Sequence, residues 1–246
     1  GLKTKVALVT AASKGIGKAT AAGLLAEGAR VIICARHEED LEQAKSELAK
    51  SGSDVHAVKA DVSDPEQLKG LYTCAQEKFG TIDILINNAG GPPPGGHQDL
   101  DDEAWKDAFN LTVQSAIRLS NLVLPSMKAS GWGRIVNISS YSVRQPMENM
   151  MLSNSLRLSV LGWAKTLSNE VAPFGITVNT VCPGWTNTHR VASLLKTRSV
   201  TEGITIEDAR GMIAKEVPLG RLAEASEIAN VAVFLSSEPA RYMTGV

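Results

Sequence analysis

Residues 10–17, Thr-Ala-Ala-Ser-Lys-Gly-Ile-Gly, have the types and spacing needed to bind a pyrophosphate. Gly15 and Gly17 have no side chain, so a phosphate group can approach the backbone closely at this turn. Ser13 and Lys14 add a hydroxyl group and a positive charge beside it. A pair of glycines is weak evidence when taken alone, because many turns between a strand and a helix contain glycine for geometric reasons.

The segments around this turn make a dinucleotide site the favoured interpretation. Val6–Val9 is a short apolar run typical of a buried parallel strand, and residues 18–28 are rich in Ala and Leu and predict a helix. The N-terminus of that helix would offer unpaired N–H groups and a positive dipole end to a phosphate. Arg30–Ala35 is a second predicted strand, which completes a βαβ unit of about 30 residues.

Strands and helices alternate along the rest of the chain. Strands are predicted at 55–60, 82–86, 134–138 and 176–181, and helices at 38–51, 65–79, 102–127, 152–171 and 226–235. The segment 183–217 is predicted to be irregular. Because the alternation has no break in composition, residues 1–246 are expected to form one α/β domain. Its predicted architecture is a doubly wound parallel sheet with helices on both faces.

Four segments that could bind a ligand follow predicted strands, at 10–17, 87–90, 139–140 and 183–188. In open parallel sheets, ligands bind beyond the carboxyl ends of the strands, near the point where the strand order reverses. We therefore expect these four segments to line one cleft.

Composition excludes several classes of partner. The chain has 246 residues, is 43% hydrophobic and has a net charge of −1, so neither a disordered chain nor a nucleic-acid-binding surface is expected. No apolar run approaches the ~20 residues that cross a membrane, so no membrane span is predicted. Cys34, Cys74 and Cys182 lack the spacing of metal ligands, so no metal site is predicted, and a reducing, cytoplasmic setting is expected.

The order of these motifs along the chain resembles that of the short-chain dehydrogenase/reductase family, and in particular its β-ketoacyl reductase type. The resemblance spans essentially the whole chain. It rests on the motifs at 10–17 and 87–90, on the segment 218–222, and on Asp61, Ser140, Pro183, Gly184 and Thr188. It implies a Rossmann-type fold and hydride transfer between NADP(H) and a small-molecule carbonyl or alcohol substrate.

The resemblance also implies an assembly and marks two departures from the family pattern. A homodimer or homotetramer is expected through the helices 102–127 and 152–171, with Trp163 and Leu167 as candidate interface residues. Ala11 stands where the family has its first glycine, which we expect to be a tolerated change. The family continues into one further strand beyond residue 246, so this strand is expected to be missing from the sequence.

By resemblance, cofactor binding is assigned to residues from every part of the cleft. These residues are Thr10, Ser13, Lys14, Gly15, Ile16, Gly17, Arg36, Asp61, Val62, Asn88, Ala89, Gly90, Arg157, Pro183, Gly184 and Thr188. An acidic residue at the end of the second strand would bind the ribose 2′-hydroxyl group and select NAD. That position is Ala35, and Lys14 and Arg36 offer two cations and no carboxylate, which favours the 2′-phosphate of NADP. Arg36 could instead be an ordinary solvated charge.

The catalytic positions are where this sequence departs most from the family. The family uses an Asn, a Ser, a Tyr and a Lys four residues after the Tyr. Ser140 matches the Ser, and aligning the following helix on the family pattern places Ser153 at the Tyr and Arg157 at the Lys. The Asn position falls at Thr112 rather than at the nearby Asn110. These four candidate catalytic residues therefore include only one, Ser140, that keeps its family type.

The replacements limit the chemistry that the site can do. Serine is a far weaker acid than tyrosine, and arginine keeps its proton and cannot relay one. The proton for an alkoxide product would have to come from Tyr141, His189 or ordered water. Two functions therefore stay open. One is an atypical NADP(H)-dependent carbonyl reductase or the reverse dehydrogenase, and the other is a catalytically silent NADP-binding sensor or partner subunit.

Two further segments are expected to form the substrate pocket. Met147, Met150 and Met151 lie where the family lines this pocket, and they would form an adaptable apolar wall or simply fill the core. Trp185 and the segment 189–215 are expected to form a mobile substrate loop or lid.

Overall fold

A parallel sheet of six strands lies at the centre of the structure, a computed structural model that describes residues 1–50 and 54–246. The strand order is β3-β2-β1-β4-β5-β6, so the order reverses between β1 and β4. The strands are β1 (Val6–Val9), β2 (Arg30–Ala35), β3 (Val55–Lys59), β4 (Ile84–Asn87), β5 (Gly133–Ile138) and β6 (Ile176–Val181). The predicted doubly wound α/β fold is confirmed.

Helices cover both faces of this sheet. They are α1 (Gly15–Ala26), α2 (Glu38–Ala49), α3 (Pro65–Phe79), α4 (Asp102–Phe109), α5 (Ser115–Ser130), α6 (Met151–Val171), α7 (His189–Glu202), α8 (Ile206–Glu216) and α9 (Ala225–Leu235). Helices α1, α2 and α9 contribute to the core on one face, and α3, α5 and α6 to the core on the other. Ser51, the last residue predicted for the second helix, lies outside the described residues.

The strand β1 shows why an apolar run forms the centre of such a sheet. Its side chains alternate between the two cores: Ala7 and Val9 pack on one side, and Val6 and Leu8 on the other. All four are buried. Because both faces are covered by helices, an uninterrupted apolar sequence is stabilising here, at about 1.5–3 kcal/mol for each large side chain that is fully buried.

The long helix predicted at 102–127 is interrupted in the structure. Helix α4 ends at Phe109, a π-helical turn spans Asn110–Gln114, and α5 continues to Ser130. The apolar spacing that predicted one helix cannot reveal a single wide turn, because such a turn adds one residue without ending the helix.

The segment predicted to be irregular, 183–217, is largely helical, which corrects that prediction. It contains the short strand Thr186–Asn187, which pairs with Ala223–Glu224, followed by α7 and α8. Thr188 caps α7, and Thr205 forms a capping box with Asp208 at the start of α8. Leu195, Ala209, Ile213 and Leu222 form a small core of their own beneath these helices, which explains why the segment is ordered.

The last residues run along the open edge of the sheet. The Gly245 N–H donates to the Val178 carbonyl oxygen at 2.8 Å, and the Thr180 N–H donates to that of Val246 at 2.7 Å. Among the described residues, no helix is long and apolar enough to cross a membrane.

Candidate functional site

The glycine turn before α1 lies very close to the neighbouring chain. A Cβ atom on Gly17 would lie 2.6 Å from both the Ala11 carbonyl oxygen and the Asn88 Nδ2 atom. Gly15 has a φ of +56°, in the left-handed region that favours glycine. Ala11 also has a positive φ of 46°, which is unfavourable for a residue with a Cβ atom. The turn therefore has a tightly defined backbone at the end of β1.

Thr10 and Asn88 join the ends of β1 and β4, where the strand order reverses. The Thr10 hydroxyl donates to the Asn88 carbonyl oxygen at 2.6 Å and accepts from the Asn88 N–H at 2.9 Å. The Asn88 side-chain amide donates to the carbonyl oxygens of Thr10 and Ala11, both at 3.1 Å. These bonds satisfy the backbone groups of the turn and fix the two strand ends, which form the floor of the cleft.

Open space borders the backbone above this floor. A Cβ atom on Gly90 or Gly184 would meet nothing within 4 Å, so both backbones border open space. The Thr188 methyl group lies 3.3 Å from the position of a Cβ on Gly15, which brings the start of α7 over the glycine turn. Ser13 is half-buried in the turn itself, Ile16 packs against the core beneath it, and Pro183 is buried and accepts a bond from the Tyr141 N–H.

Carboxylates accompany both cations at the end of the second strand, which corrects the expectation that none would be there. Lys14 Nζ lies 2.8 Å from Asp40 Oδ2, and Arg36 Nη1 lies 4.0 Å from Asp61 Oδ2. The hydrogen bond from Lys14 lowers the pKa of Asp40, so this carboxylate is ionised at neutral pH. Both pairs are solvent-exposed and therefore weak enough for another anion to compete with them.

Asp61 and the residues around it lie at the start of the next connection. The Asp61 carboxylate accepts hydrogen bonds from the Ser63 N–H at 2.9 Å and from the Ser63 hydroxyl at 2.7 Å. Val62 is buried in the core, against which Ala89 also packs. Asp61 therefore has fixed partners on its own loop, besides its distant contact with Arg36.

Arg157 extends from α6 to the end of β5. Its Nη1 group donates to the carbonyl oxygens of Ile138 and Ser139, both at 3.1 Å. The Ser139 hydroxyl donates back to the Arg157 carbonyl oxygen at 3.4 Å. Burial, and to a smaller extent the charge of Arg190, lower the pKa of Arg157 to about 10, and the guanidinium stays protonated at neutral pH.

Thr112 and Arg157 meet at a small polar cavity of about 20 Å³. Thr112 belongs to the π-helical turn, and its hydroxyl has no hydrogen-bond partner among the described residues. The same holds for Asn87 Oδ1 and Asn137 Nδ2, which belong to two further residues that line the cavity. A cavity of this size and polarity accommodates a water molecule. Asn110 contacts Arg118 at 3.5 Å and does not line the cavity.

Ser140 and Ser153 do not line this cavity. The Ser140 hydroxyl accepts a hydrogen bond from the Ser142 N–H at 3.1 Å. Ser153 is buried in the first turn of α6, four residues before Arg157 and thus on the same face of the helix. The structure therefore brings Thr112 and Arg157 together with Thr10 at this cavity and does not place Ser140 or Ser153 there.

A larger cleft of about 920 Å³ lies next to Ser140. Tyr141 and Trp185 line it with their ring centroids 6.2 Å apart, and burial followed by the charge of Glu216 raises the pKa of Tyr141. Met147 and Met150 line the cleft as expected. Met151 is exposed at the start of α6 and does not line it, which corrects the third methionine assignment.

Helices α7 and α8 supply much of the opposite wall of the cleft, although not every residue at the start of α7 lies there. Leu194 and Ile213 line the cleft from these two helices. His189 does not line it. Its charge contributes to lowering the pKa of Asp40, which places it towards the Lys14 end of the site.

Sequence reasoning missed Arg190, Asn137 and Glu216. Arg190 follows Thr188 by two residues and lies in the first turn of α7, beside the glycine turn. Its position could have been predicted only if 189–202 had been predicted to be a helix. Asn137 and Glu216 had no such signal, because their neighbours in the site come from distant parts of the chain.

Comparisons with known proteins found a matching family model and similar sequences. Residues 5–199 match the family model described as short chain dehydrogenase. The chain is 37% identical over 243 residues to the 3-oxoacyl-acyl-carrier-protein reductase FabG of Escherichia coli, which covers 98% of this chain and 93% of that protein.

Two solved structures are similar along nearly the whole chain. A variant of actinorhodin polyketide ketoreductase solved with NADPH has a TM-score of 0.94 and 36% identity, covering 98% of this chain and 93% of that one. L-sorbose reductase from Gluconobacter frateurii, solved with NADPH and L-sorbose, has a TM-score of 0.95 and 34% identity, covering 100% of this chain and 94% of that one.

Proposed function

The chain belongs to the short-chain dehydrogenase family, and on that premise we propose that it is an NADP(H)-dependent oxidoreductase that interconverts a carbonyl group and an alcohol. One observation carries the proposal. Close contacts among Thr10, Gly17 and Asn88 fix the backbone where the strand order reverses. This fixed backbone would form the floor of a dinucleotide cleft. The two similar structures solved with NADPH support NADP(H) as the cofactor.

The chain's own residues would hold the cofactor along this cleft. The turn at 13–17 and the N-terminus of α1 offer N–H groups to its diphosphate. Lys14 and Arg36 would bind the 2′-phosphate by exchanging their exposed carboxylate partners for it. Asp61 and Val62 would flank the adenine, and the backbone at 88–90 would support the ribose.

When bound, NADPH supplies the hydride, and the residues of the site must polarise the carbonyl and provide one proton. We assign the first role to Ser140, whose hydroxyl would donate to the carbonyl oxygen as negative charge develops there. Arg157 would hold the nicotinamide ribose from its fixed place at the end of β5. It keeps its proton at neutral pH, so it stabilises charge without relaying a proton.

We further propose that Ser153, Arg157 and Thr112 replace the family's Tyr, Lys and Asn. The proton would then come from Tyr141 or from water in the cleft. Tyr141 lines the cleft, and its raised pKa means that the hydroxyl keeps its proton until an alkoxide forms. His189 is the weaker alternative because it lies towards Asp40 and does not line the cleft.

The absence of a tyrosine and a lysine at these positions also supports a second candidate function, a catalytically silent sensor or partner subunit that binds NADP. The two functions share the cofactor site and differ in turnover. We therefore test them together by titrating NADPH and NADH by fluorescence and by measuring NADPH oxidation with a broad panel of aldehydes and ketones.

If the protein is an enzyme, we expect NADPH oxidation with at least one carbonyl compound. We also expect it to prefer NADPH over NADH, and Arg36→Asp should reverse that preference. NADPH binding without oxidation across the panel would support the sensor instead. Equal or tighter binding of NADH by the wild-type protein would contradict the cofactor assignment.

We also propose that the chain forms a homodimer or homotetramer through the faces of α4, α5 and α6. For this interface we propose other residues than Trp163 and Leu167, which were expected from the sequence. Leu167 is only 8% exposed and belongs to the core of its own chain, and Trp163 is half-buried there. Leu158 on α6 is 51% exposed and Phe109 on α4 is 39% exposed, so these two side chains are the better candidates.

A further inference from the structure

Arg190 spans the cleft from the first turn of α7 to the loop after β4. Its Nη2 group donates to the Pro92 carbonyl oxygen at 2.7 Å. A Cβ atom on Gly91 would lie 2.9 Å from Arg190 Nε and 3.1 Å from Cζ, so the guanidinium packs directly on the Gly91 backbone. The absence of a side chain at Gly91 is therefore what allows Arg190 to take this position.

The charge of Arg190 has no carboxylate partner among residues 1–50 and 54–246. Burial lowers its pKa, and no nearby acid opposes that effect. Arg157 is a second cation close enough for the two charges to interact. Two like charges that are partly withdrawn from water are unfavourable unless an anion lies between or beside them.

The place of Arg190 identifies which anion this would be. It follows Thr188, whose methyl group contacts the glycine turn, and its guanidinium lies on the residue that follows the 88–90 backbone. Arg190 therefore lies between two segments, the glycine turn and the 88–90 backbone, that a bound dinucleotide would contact. Arg190 does not line the larger cleft. The arginines that do, Arg198 and Arg221, are each paired with a glutamate, and the further carboxylates Glu148 and Glu216 are unfavourable for an anionic substrate there.

We propose that Arg190 binds the diphosphate of NADP(H), as a cation on the wall opposite the N-terminus of α1. This inference rests on the proposed function for the presence of a dinucleotide. A guanidinium suits the role because its planar N–H groups bind two phosphate oxygens at once. One N–H group of Arg190 can keep its bond to Pro92 while the others bind the diphosphate.

The test is Arg190→Gln, which keeps an amide donor for Pro92 and removes the charge. Since a hydrogen bond to a charged group typically contributes about 1.5–3 kcal/mol, the dissociation constants of NADPH and NADH should both rise about 10- to 100-fold. Binding of 2′-AMP, which has no diphosphate, should stay unchanged. The control is Lys196→Gln, which removes an exposed positive charge from the same helix and should leave all three affinities unchanged.

A second variant, Gly91→Ala, keeps the charge and displaces the guanidinium, so it should weaken both dinucleotides and spare 2′-AMP as well. Circular dichroism and the melting temperature check that each variant is folded. Unchanged dinucleotide affinity in folded Arg190→Gln would overturn the inference, and so would equal weakening of 2′-AMP. A raised KM for keto acids with unchanged cofactor affinity would identify a substrate carboxylate as the anion and also overturn it. Failure of the wild-type protein to bind any dinucleotide would overturn the proposed function itself.

Discussion

Lys14 and Asp40 form an ion pair at the position where the 2′-phosphate is expected to bind. The Lys14 Nζ atom lies 2.8 Å from Asp40 Oδ2, and this contact lowers the pKa of the carboxylate. The cation is therefore partly neutralised before a cofactor arrives, and the carboxylate would repel a phosphate placed beside it. The affinity for NADP(H) depends on how readily this exposed pair opens.

We expect Asp40→Asn to tighten NADPH binding by about two- to fivefold and to leave NADH binding nearly unchanged, because only NADPH has the 2′-phosphate. Fluorescence titration of both cofactors at low ionic strength measures the effect. At high salt the difference between the variant and the wild type should shrink, since exposed charges are screened. Equal tightening of NADH would show that Asp40 acts elsewhere.

Gly17 should be intolerant of a side chain. We expect Gly17→Ala to lower the free energy of unfolding by about 1–3 kcal/mol and to abolish measurable NADPH binding, because the added Cβ lies 2.6 Å from Ala11 and Asn88. Gly70→Ala is the matched control. Gly70 is exposed within α3 and a Cβ there meets nothing within 4 Å, so this change should stabilise the protein by about 0.5–1 kcal/mol. Denaturant unfolding and cofactor titration distinguish the two outcomes.

The sheet could be predicted from sequence because its central strands, such as β1 and β4, are buried on both faces and show as apolar runs. The cleft followed from the sheet, since residues at the carboxyl ends of parallel strands must meet. The break between α4 and α5 could not be predicted, because a π-helical turn leaves the apolar spacing almost intact. Helices α7 and α8 were missed because they pack on a separate small core to which α7 contributes one buried residue and α8 two, which leaves little apolar periodicity in their sequences.

The polar contacts of the site were less predictable than the fold. The positions of Lys14 and Arg36 followed from motif order, but their partners Asp40 and Asp61 depend on side-chain directions that no local pattern encodes. The same is true of Arg190, whose contact with Pro92 joins residues 98 positions apart. Spacing in sequence identifies which backbone segments meet, and only the packed structure shows which charges face one another.

Leu158 provides a test of the proposed assembly. It is 51% exposed on α6, so Leu158→Glu should cost the isolated chain little and should convert a dimer or tetramer to a monomer by placing a charge in an apolar interface. Light scattering at micromolar concentration measures the mass. Leu167→Glu is not a suitable alternative, because that side chain is buried in its own chain and the variant would unfold. A wild-type monomer would refute the assembly.

Ser140 and Arg157 should matter more to turnover than Ser153. Ser140→Ala removes the proposed donor to the developing oxyanion, and such a loss typically lowers kcat by ~10²–10³. Arg157→Ala should weaken NADPH binding and also lower the rate. The reason is that the Arg157 side chain, fixed at the end of β5 by its bonds to Ile138 and Ser139, is proposed to hold the nicotinamide ribose. Ser153→Ala should cost less than either. Steady-state kinetics with a carbonyl substrate and NADPH titration measure both effects.

The double change Ser153→Tyr with Arg157→Lys tests whether these positions correspond to the family's acid and its lysine partner. If they do, the variant gains a proton donor beside a cation and should reduce ketones faster than the wild type. Ser153 is only 6% exposed, so the larger side chain must find room towards the cleft, and the melting temperature checks for overpacking. Tyr141→Phe separates the proton sources, since it should slow the wild type more than the double variant. A greater loss of rate from Ser153→Ala than from Ser140→Ala would mean that the proton path is assigned to the wrong side of the cleft.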